Sequence, residues 1–332
     1  MATVADPVIA QPRTTPKPDR LDRWLFAERP LVGVAVLRIA VGLAMLAHLY
    51  GRWFYVHELY STEGFVLPYG FVYELGLPHF SYPVALVLFS TLMLCLFAIV
   101  LGFQTHRALW VAAILQLYFM SCTSLFVCAV DSIGFLALVF LAMSRCGDAL
   151  SLDRCLAASH AVGGAGAWEF NPATLWSARG TIWPQRAVAL QISLIYVCAA
   201  VFKLGHSGWG YLSGVELAGG LQRWQFATDA SLWIAHHWWL PMLMSWAGTF
   251  GELFLAVGLF VPRLRPIALA FGIAMHLLIL ITLRIPHGLS LLTIACYAAF
   301  VEPETWQRWL NHWTGSFRRE GTSVLDQDRR TL

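Results

Sequence analysis

Gln191-Ile-Ser-Leu-Ile-Tyr-Val-Cys-Ala-Ala-Val-Phe-Lys203-Leu-Gly-His-Ser-Gly-Trp209 is an apolar run that closes on a lysine and passes into a Gly/Trp-rich segment. Extended back to Arg186, the run covers 186–204. That is close to the ~20 apolar residues a helix needs to cross a hydrocarbon core. An ionisable side chain inside such a run is a functional-site hypothesis by default. Desolvation disfavours an ammonium ion, and a buried lysine can thereby serve as a general base.

The same pattern recurs along the chain. Seven further stretches, 31–51, 82–102, 108–123, 126–144, 240–261, 266–283 and 287–301, predict membrane-crossing helices. Composition agrees: 58% of residues are hydrophobic and 12% charged, against about 25% charged in soluble domains. The predicted fold class is an all-α polytopic membrane protein, a bundle of about eight transmembrane helices with interfacial aromatic-rich outer segments. No basic patch interleaved with aromatics is present, which excludes nucleic acid as a partner. The bilayer is the expected partner.

Charge sets the expected orientation. With the N-terminus in the cytoplasm, inner segments hold 17 of the 22 Lys and Arg, outer segments hold Arg52, Arg223 and Arg284, and the spans hold Arg38 and Lys203. This bias fits the positive-inside rule for an even number of spans. The protein is expected to be multi-pass in the cytoplasmic (inner) membrane with both termini cytoplasmic. Residues 1–24 are polar and Pro-rich and read as a disordered cytoplasmic tail. Residues 25–305 form the transmembrane domain and 306–332 a polar cytoplasmic tail. The run Leu31–Tyr50 is too long for a signal h-region and reads as an uncleaved anchor.

The outer segments 52–81 and 205–239 are rich in aromatics and Gly, with few charges. They read as short interfacial helices that cover a cavity or meet lipid headgroups; anchoring alone is the simpler alternative. Segment 145–185 reads as an irregular connector. The seven cysteines form no CxxC. Cys122 and Cys128 fall near one membrane face, and free thiols are the expectation there.

The ionisable groups inside the spans are Arg38, His48, Asp131, Lys203, Glu252, His276 and Arg284. Buried charges must pair or face a wet cavity, so Arg38, Asp131, Lys203 and Glu252 are expected to form such pairs, with the histidines as donors or acceptors. For Arg38, Arg284 and Glu252 a tie between helices is the expected role. For Asp131 a tie and a site weigh equally. Tyr196, Ala199, Ala200 and Lys203 share one helix face, where the alanines leave room and Tyr196 supplies a hydroxyl. Against a site at Lys203 stands snorkelling, in which a lysine near a span end reaches the interface. A lone histidine such as His276 is more often a satisfied core residue than a ligand. No HExxH or similar spacing occurs, so no metal is predicted.

Taken together, four segments resemble the horizontally transferred transmembrane (HTTM) domain, the membrane domain of vitamin K-dependent γ-glutamyl carboxylases and their bacterial relatives. They are Leu37-Arg38-Ile-Ala-Val-Gly42; Gly102-Phe-Gln-Thr-His106-Arg107 with Asp131 and Ser151-Leu-Asp153; Tyr196 to Lys203-Leu with Trp209-Gly210; and Gly251-Glu252-Leu with Pro262-Arg263 and His276. The likeness covers about 25–305. It implies that Lys203 matches the base that deprotonates a reduced quinone, a vitamin K-like hydroquinone, and that His276 belongs to the same site. Lys203 and His276 are therefore the catalytic candidates, and Tyr196, Trp209, His48 and Asp131 the candidates for holding the cofactor.

This sequence departs from the carboxylases in two ways. It has Phe202-Lys203 where they have adjacent lysines, and only about 30 polar residues follow Glu302. Recognition of a propeptide in the carboxylases' way is not expected, which counts against peptide carboxylation, although a peptide stays beside an isoprenoid or quinone lipid among the candidate substrates. Proton-transfer, carboxylase-like or other lyase chemistry on a quinone or isoprenoid lipid is the leading expectation. The alternatives are a non-catalytic maturation or immunity factor, and a transporter, which the lack of internal repeats disfavours.

Overall fold

The computed structural model describes residues 19–65, 76–122, 129–161, 172–224, 226–283 and 288–314. Arg284 and Cys128 lie outside these residues, so the expectations placed on them are not described. A helix lies on each of the eight predicted stretches. In chain order the elements begin with α1 (Arg20–Leu25), β1 (Glu28–Pro30), α2 (Val32–Trp53) and α3 (Val56–Tyr60). Then come α4 (Tyr82–Leu101), α5 (Thr105–Cys122), α6 (Ala129–Ala142), α7 (Leu152–Ala161), β2 (Arg179–Thr181) and α8 (Trp183–Phe202). Three short helices follow, α9 (Trp209–Leu212), α10 (Val215–Leu221) and α11 (Asp229–His236). The chain continues with α12 (Trp239–Gly258), α13 (Arg265–Thr282), α14 (Gly288–Cys296) and α15, residues 303–314.

The protein is an all-α membrane protein in its main body. Among the described residues, five helices are long and apolar enough to cross a bilayer: α2, α4, α8 with the turn that follows it, α12 and α13. α6, and α14 with its 3₁₀ extension to Phe300, are apolar but shorter. Proline within the first turn starts α4, α8 and α13, where its missing N–H costs nothing. The apolar side chains left outside the core, among them Leu94, Ile114, Leu194, Val257, Ile267 and Ile281, form a girdle too extensive for a water-facing surface.

α2 is the central post. Two thirds of its apolar window (67%) is buried, against 22–33% for the other four long helices. It packs against α4, α6, α8 and α14.

Two small ordered pieces depart from the sequence reading. Residues 1–24 were expected to be disordered, yet Arg20–Leu25 is helical, and the Trp24 ring lies over the Arg186 guanidinium at 4.9 Å. That cation–π contact gives a polar segment something to fold against. The connector 145–185 contains α7 and β2, and β2 pairs antiparallel with β1 through Arg29 and Gly180. The tail beyond 306 remains helical to residue 314, held where Trp176 donates to Asn311 at 2.7 Å.

Ion pairs identify the two ends of the bundle. Glu302 accepts from Arg29 at 3.2 Å and Arg265 at 3.0 Å, with Arg186 at 3.6 Å. The starts of α2, α8 and α13 and the end of the 297–300 turn therefore meet at one end, called here the basic end. At the opposite end, α9, α10 and α11 form a lid. Thr228 caps α11 in a reciprocal box with Ser231 and also donates to the carbonyl of Thr282, the last residue of α13, at 2.6 Å.

Candidate functional site

The regular α8 ends at Phe202, and the helix loosens into one π-helical turn over Lys203–Ser207; Gly208 then reverses the chain into the lid with φ 50° and ψ −121°. Such a backbone conformation is open only to glycine at low cost. Single π turns are wider than α turns and occur often at functional sites. Here the turn carries Lys203 Nζ to within 2.5 Å of Glu252 Oε1 on α12. The two side chains are 22% and 12% exposed, so the pair is largely out of water without being sealed. The Tyr211 ring of the lid stands 5.5 Å from Nζ. Burial, with Glu252 and Glu216 nearby, pushes the Tyr211 hydroxyl up to about 12, so it stays protonated and able to donate.

α12 starts 13 residues before Glu252, about 20 Å along the helix. Lys203, by contrast, sits at the very end of α8. The mismatch is taken up by the lid, which packs beside the first turns of α12: Trp246 donates to the Leu212 carbonyl at 2.9 Å. The ion pair thus lies beneath the lid. Lys203 does not snorkel freely to the interface but is held inward by a carboxylate.

One face of α8 carries a second polar group. The Tyr196 hydroxyl hydrogen-bonds His276 Nε2 on α13 at 2.9 Å, and also the Tyr297 hydroxyl. All three side chains are buried. Tyr297 reaches them because Gly272, one turn before His276, leaves its space to the phenol; a Cβ there would collide with the Tyr297 ring and oxygen. His276 Nδ1 has no partner among the described residues.

A third cluster is built by other helices. Asp131 on α6 is fully buried and takes a two-pronged grip from Arg52, at 2.9 and 3.1 Å. His48 Nε2 lies 3.1 Å from the same carboxylate, and Gln116 donates to it at 3.3 Å. Arg52 also reaches the Tyr60 hydroxyl at 3.4 Å, and Tyr60 is stacked on Phe89.

The residues expected to act together therefore sort into groups. Lys203, Tyr196 and His276 belong to one neighbourhood, the first on the ion pair and the other two on the phenol–imidazole cluster. His48 and Asp131 come together, but around Arg52. Trp209 is 71% exposed, and the aromatic ring near the lysine is Tyr211.

The expected pairing of Arg38, Asp131, Lys203 and Glu252 needs correction at Arg38. Of the four, only Lys203 and Glu252 pair with each other. Arg38 donates to the carbonyls of Cys146, Ala149 and Leu150 at 2.8, 3.4 and 2.6 Å. These carbonyls engage both terminal nitrogens of the guanidinium, and its Nε has no partner among the described residues. Asp131's main cation is Arg52, which the sequence reading left just outside the first span, because α2 runs on to Trp53.

Two segments of the family resemblance turn out to hold the basic end together. Asp153 accepts from the Gln104 and Thr105 amides at 2.7 and 2.8 Å and from the Thr105 hydroxyl at 2.7 Å, closing the start of α5. Gly102 lies against Ser151 and the Arg38 guanidinium. Among the described residues, no group of three or more His, Cys, Asp or Glu is placed to hold a metal.

Compared with known proteins, the chain matches no family model, no curated protein and no solved structure.

Proposed function

We propose that this chain is an HTTM-type membrane protein that carries out proton transfer on a quinone or isoprenoid lipid, with Lys203 as the base and Glu252 as its proton partner. The single observation behind this reading is the Lys203–Glu252 pair, 2.5 Å apart on a π-helical turn beneath the lid. Such a pair has two proton arrangements of equal net charge, ammonium with carboxylate and amine with carboxylic acid. The second leaves a lone pair on Nζ. A substrate hydroxyl that meets the amine gives its proton to Nζ and becomes an oxyanion beside the new ammonium ion. Glu252 Oε2, which has no partner among the described residues, is free to carry the proton that Lys203 gives up. The exposed apolar girdle suits a substrate that arrives sideways from the bilayer. Tyr196, two turns before Lys203 on α8, and its partner His276 on α13 supply further polar groups.

The test is mass spectrometry of lipids extracted from purified protein, wild type beside Lys203→Ala, Lys203→Arg and Glu252→Gln. Wild type is expected to retain a quinone or isoprenoid lipid, and a supplied hydroquinone is expected to be deprotonated only by protein with Lys203. Lys203→Arg keeps the charge but cannot act as a base, so it is expected to retain lipid without turnover. Undiminished turnover in Lys203→Ala would falsify the assignment.

A further inference from the structure

The face of α12 that meets α8 carries Ser245, Thr249, Glu252 and Ala256, at i, i+4, i+7 and i+11. Its direction is known from two contacts. The Ala256 carbonyl accepts from Ser193 of α8 at 2.7 Å, and Glu252 accepts from Lys203. Ser245 and Thr249 continue the same row from the ion pair toward the lid end. Both are 0% exposed.

Ser245 Oγ, Thr249 Oγ1 and Glu252 Oε2 are all buried, and none has a hydrogen-bond partner among the described residues. Leaving a buried polar group unpaired costs its full desolvation, so three in one row are a large penalty for a dry seam. Elsewhere on the helices, buried hydroxyls are satisfied by a carbonyl one turn back, as Thr282 is by Leu278 at 2.7 Å and Thr293 by Leu289 at 2.8 Å. The two α12 hydroxyls do not turn back in this way. Successive members of the row stand about 5–6 Å apart at Cβ, a spacing that one water can bridge. Rows of buried polar groups are met by ordered water.

We propose that Ser245 Oγ, Thr249 Oγ1 and Glu252 Oε2 line a file of internal waters running from the Lys203–Glu252 pair to the underside of the lid. The file is a proton path: it opens at the lid end and exchanges protons between the buried pair and the water there.

Cysteine accessibility tests this. Ser245→Cys and Thr249→Cys are nearly isosteric and are made one at a time in the full chain. Each is treated from the lid side with a small, charged, membrane-impermeant methanethiosulfonate, and modification is mapped by peptide mass spectrometry. Val257→Cys, on a lipid-exposed position (64% exposed), is the dry control. Wild type gives the background; burial raises the Cys146 thiol and keeps it unreactive. Both row positions are expected to label at least tenfold faster than Val257→Cys, and labelling no faster than that control overturns the file. Thr249→Val supplies a second readout. Removing a hydroxyl that holds water lowers the thermal midpoint, whereas removing a dry, unpaired one raises it, so a midpoint that rises or does not move also overturns the proposal. Neither readout requires Lys203 to act as a base, so the file and the proton-transfer reading can fail separately.

Discussion

At the scale of single residues, the decisive contact is the one between Lys203 and Glu252, and its energetics are testable apart from any activity. Breaking a buried ion pair by removing one partner leaves an uncompensated charge and costs about 3–5 kcal/mol, whereas replacing both by apolar side chains is often neutral. Glu252→Gln is therefore expected to lower the thermal midpoint in detergent, and the double variant Lys203→Met/Glu252→Leu to recover most of the loss. A single variant that unfolds no earlier than wild type would mean that the pair is not formed. The same logic applies to Asp131→Asn, which takes from Arg52 the carboxylate it grips. It should cost stability on the same scale, measured by the same unfolding, without changing the lipid retained. Lys203, Asp131 and Glu252 were all legible in the sequence as charges out of place. Their partners were not, because pairing depends on which faces two distant helices turn to each other. Arg52 was missed for a simpler reason: α2 runs two residues past the predicted stretch, to Trp53, and this moves Arg52 from the loop into the bundle.

Among the elements, the π turn and the close helix contacts are where backbone detail carries the site. Gly208 holds φ 50° and ψ −121°, and a Cβ there would find space but not a relaxed backbone. Gly208→Ala is expected to cost about 1–3 kcal/mol of strain, loosening the lid. Limited proteolysis should then cut within 205–239 sooner than in wild type. Gly272→Val acts on packing instead. Its side chain would occupy the space of the Tyr297 phenol and separate Tyr196, His276 and Tyr297. A lowered thermal midpoint, with the Lys203-dependent lipid still retained, is the expected result; loss of that lipid would place the cluster inside the binding site. The existence of the helices was readable from their apolar length; a proline in second position marks the start of α4, α8 and α13, but not of α2 or α12. The Gly272 contact was not readable, because it pairs positions 25 residues apart in sequence (297 − 272) whose meeting is decided by the tilt of α13 against the turn after α14.

For the whole molecule, the open quantity is the number of crossings, and the ion pairs bear on it. Among the described residues, five helices have the length and hydropathy of spans, and five crossings would put the start of α2 and the residues after α14 on opposite sides of the membrane. Arg29 and Glu302 are in contact at 3.2 Å, so these two points share one end, which requires an even number of crossings between them. The pairing of β1 with β2 makes the same demand on α2, α4, α5 and α6. The contact of Arg265 with Glu302 makes it on α13 and α14. The last contact calls for α14 as a crossing beside α13, whereas α2 and α4 already make an even pair, so α5 and α6 either both cross or both do not. The shortness of α14 is accommodated by local bilayer thinning and by burial against neighbouring helices, at fractions of a kcal/mol per Å of mismatch. Reporter fusions measure the result directly. A fluorescent protein at the C-terminus and one at the N-terminus are both expected to fold in the cytoplasm, and a phosphatase inserted at Arg223 in the lid to be active only outside. Reporters at the two termini that read opposite sides would support five crossings and contradict the Arg29–Glu302 contact. Termini on the same side, with the lid outside, would place the Lys203–Glu252 pair and the row above it toward the outer face, where a proton leaving the pair has the shortest way to water.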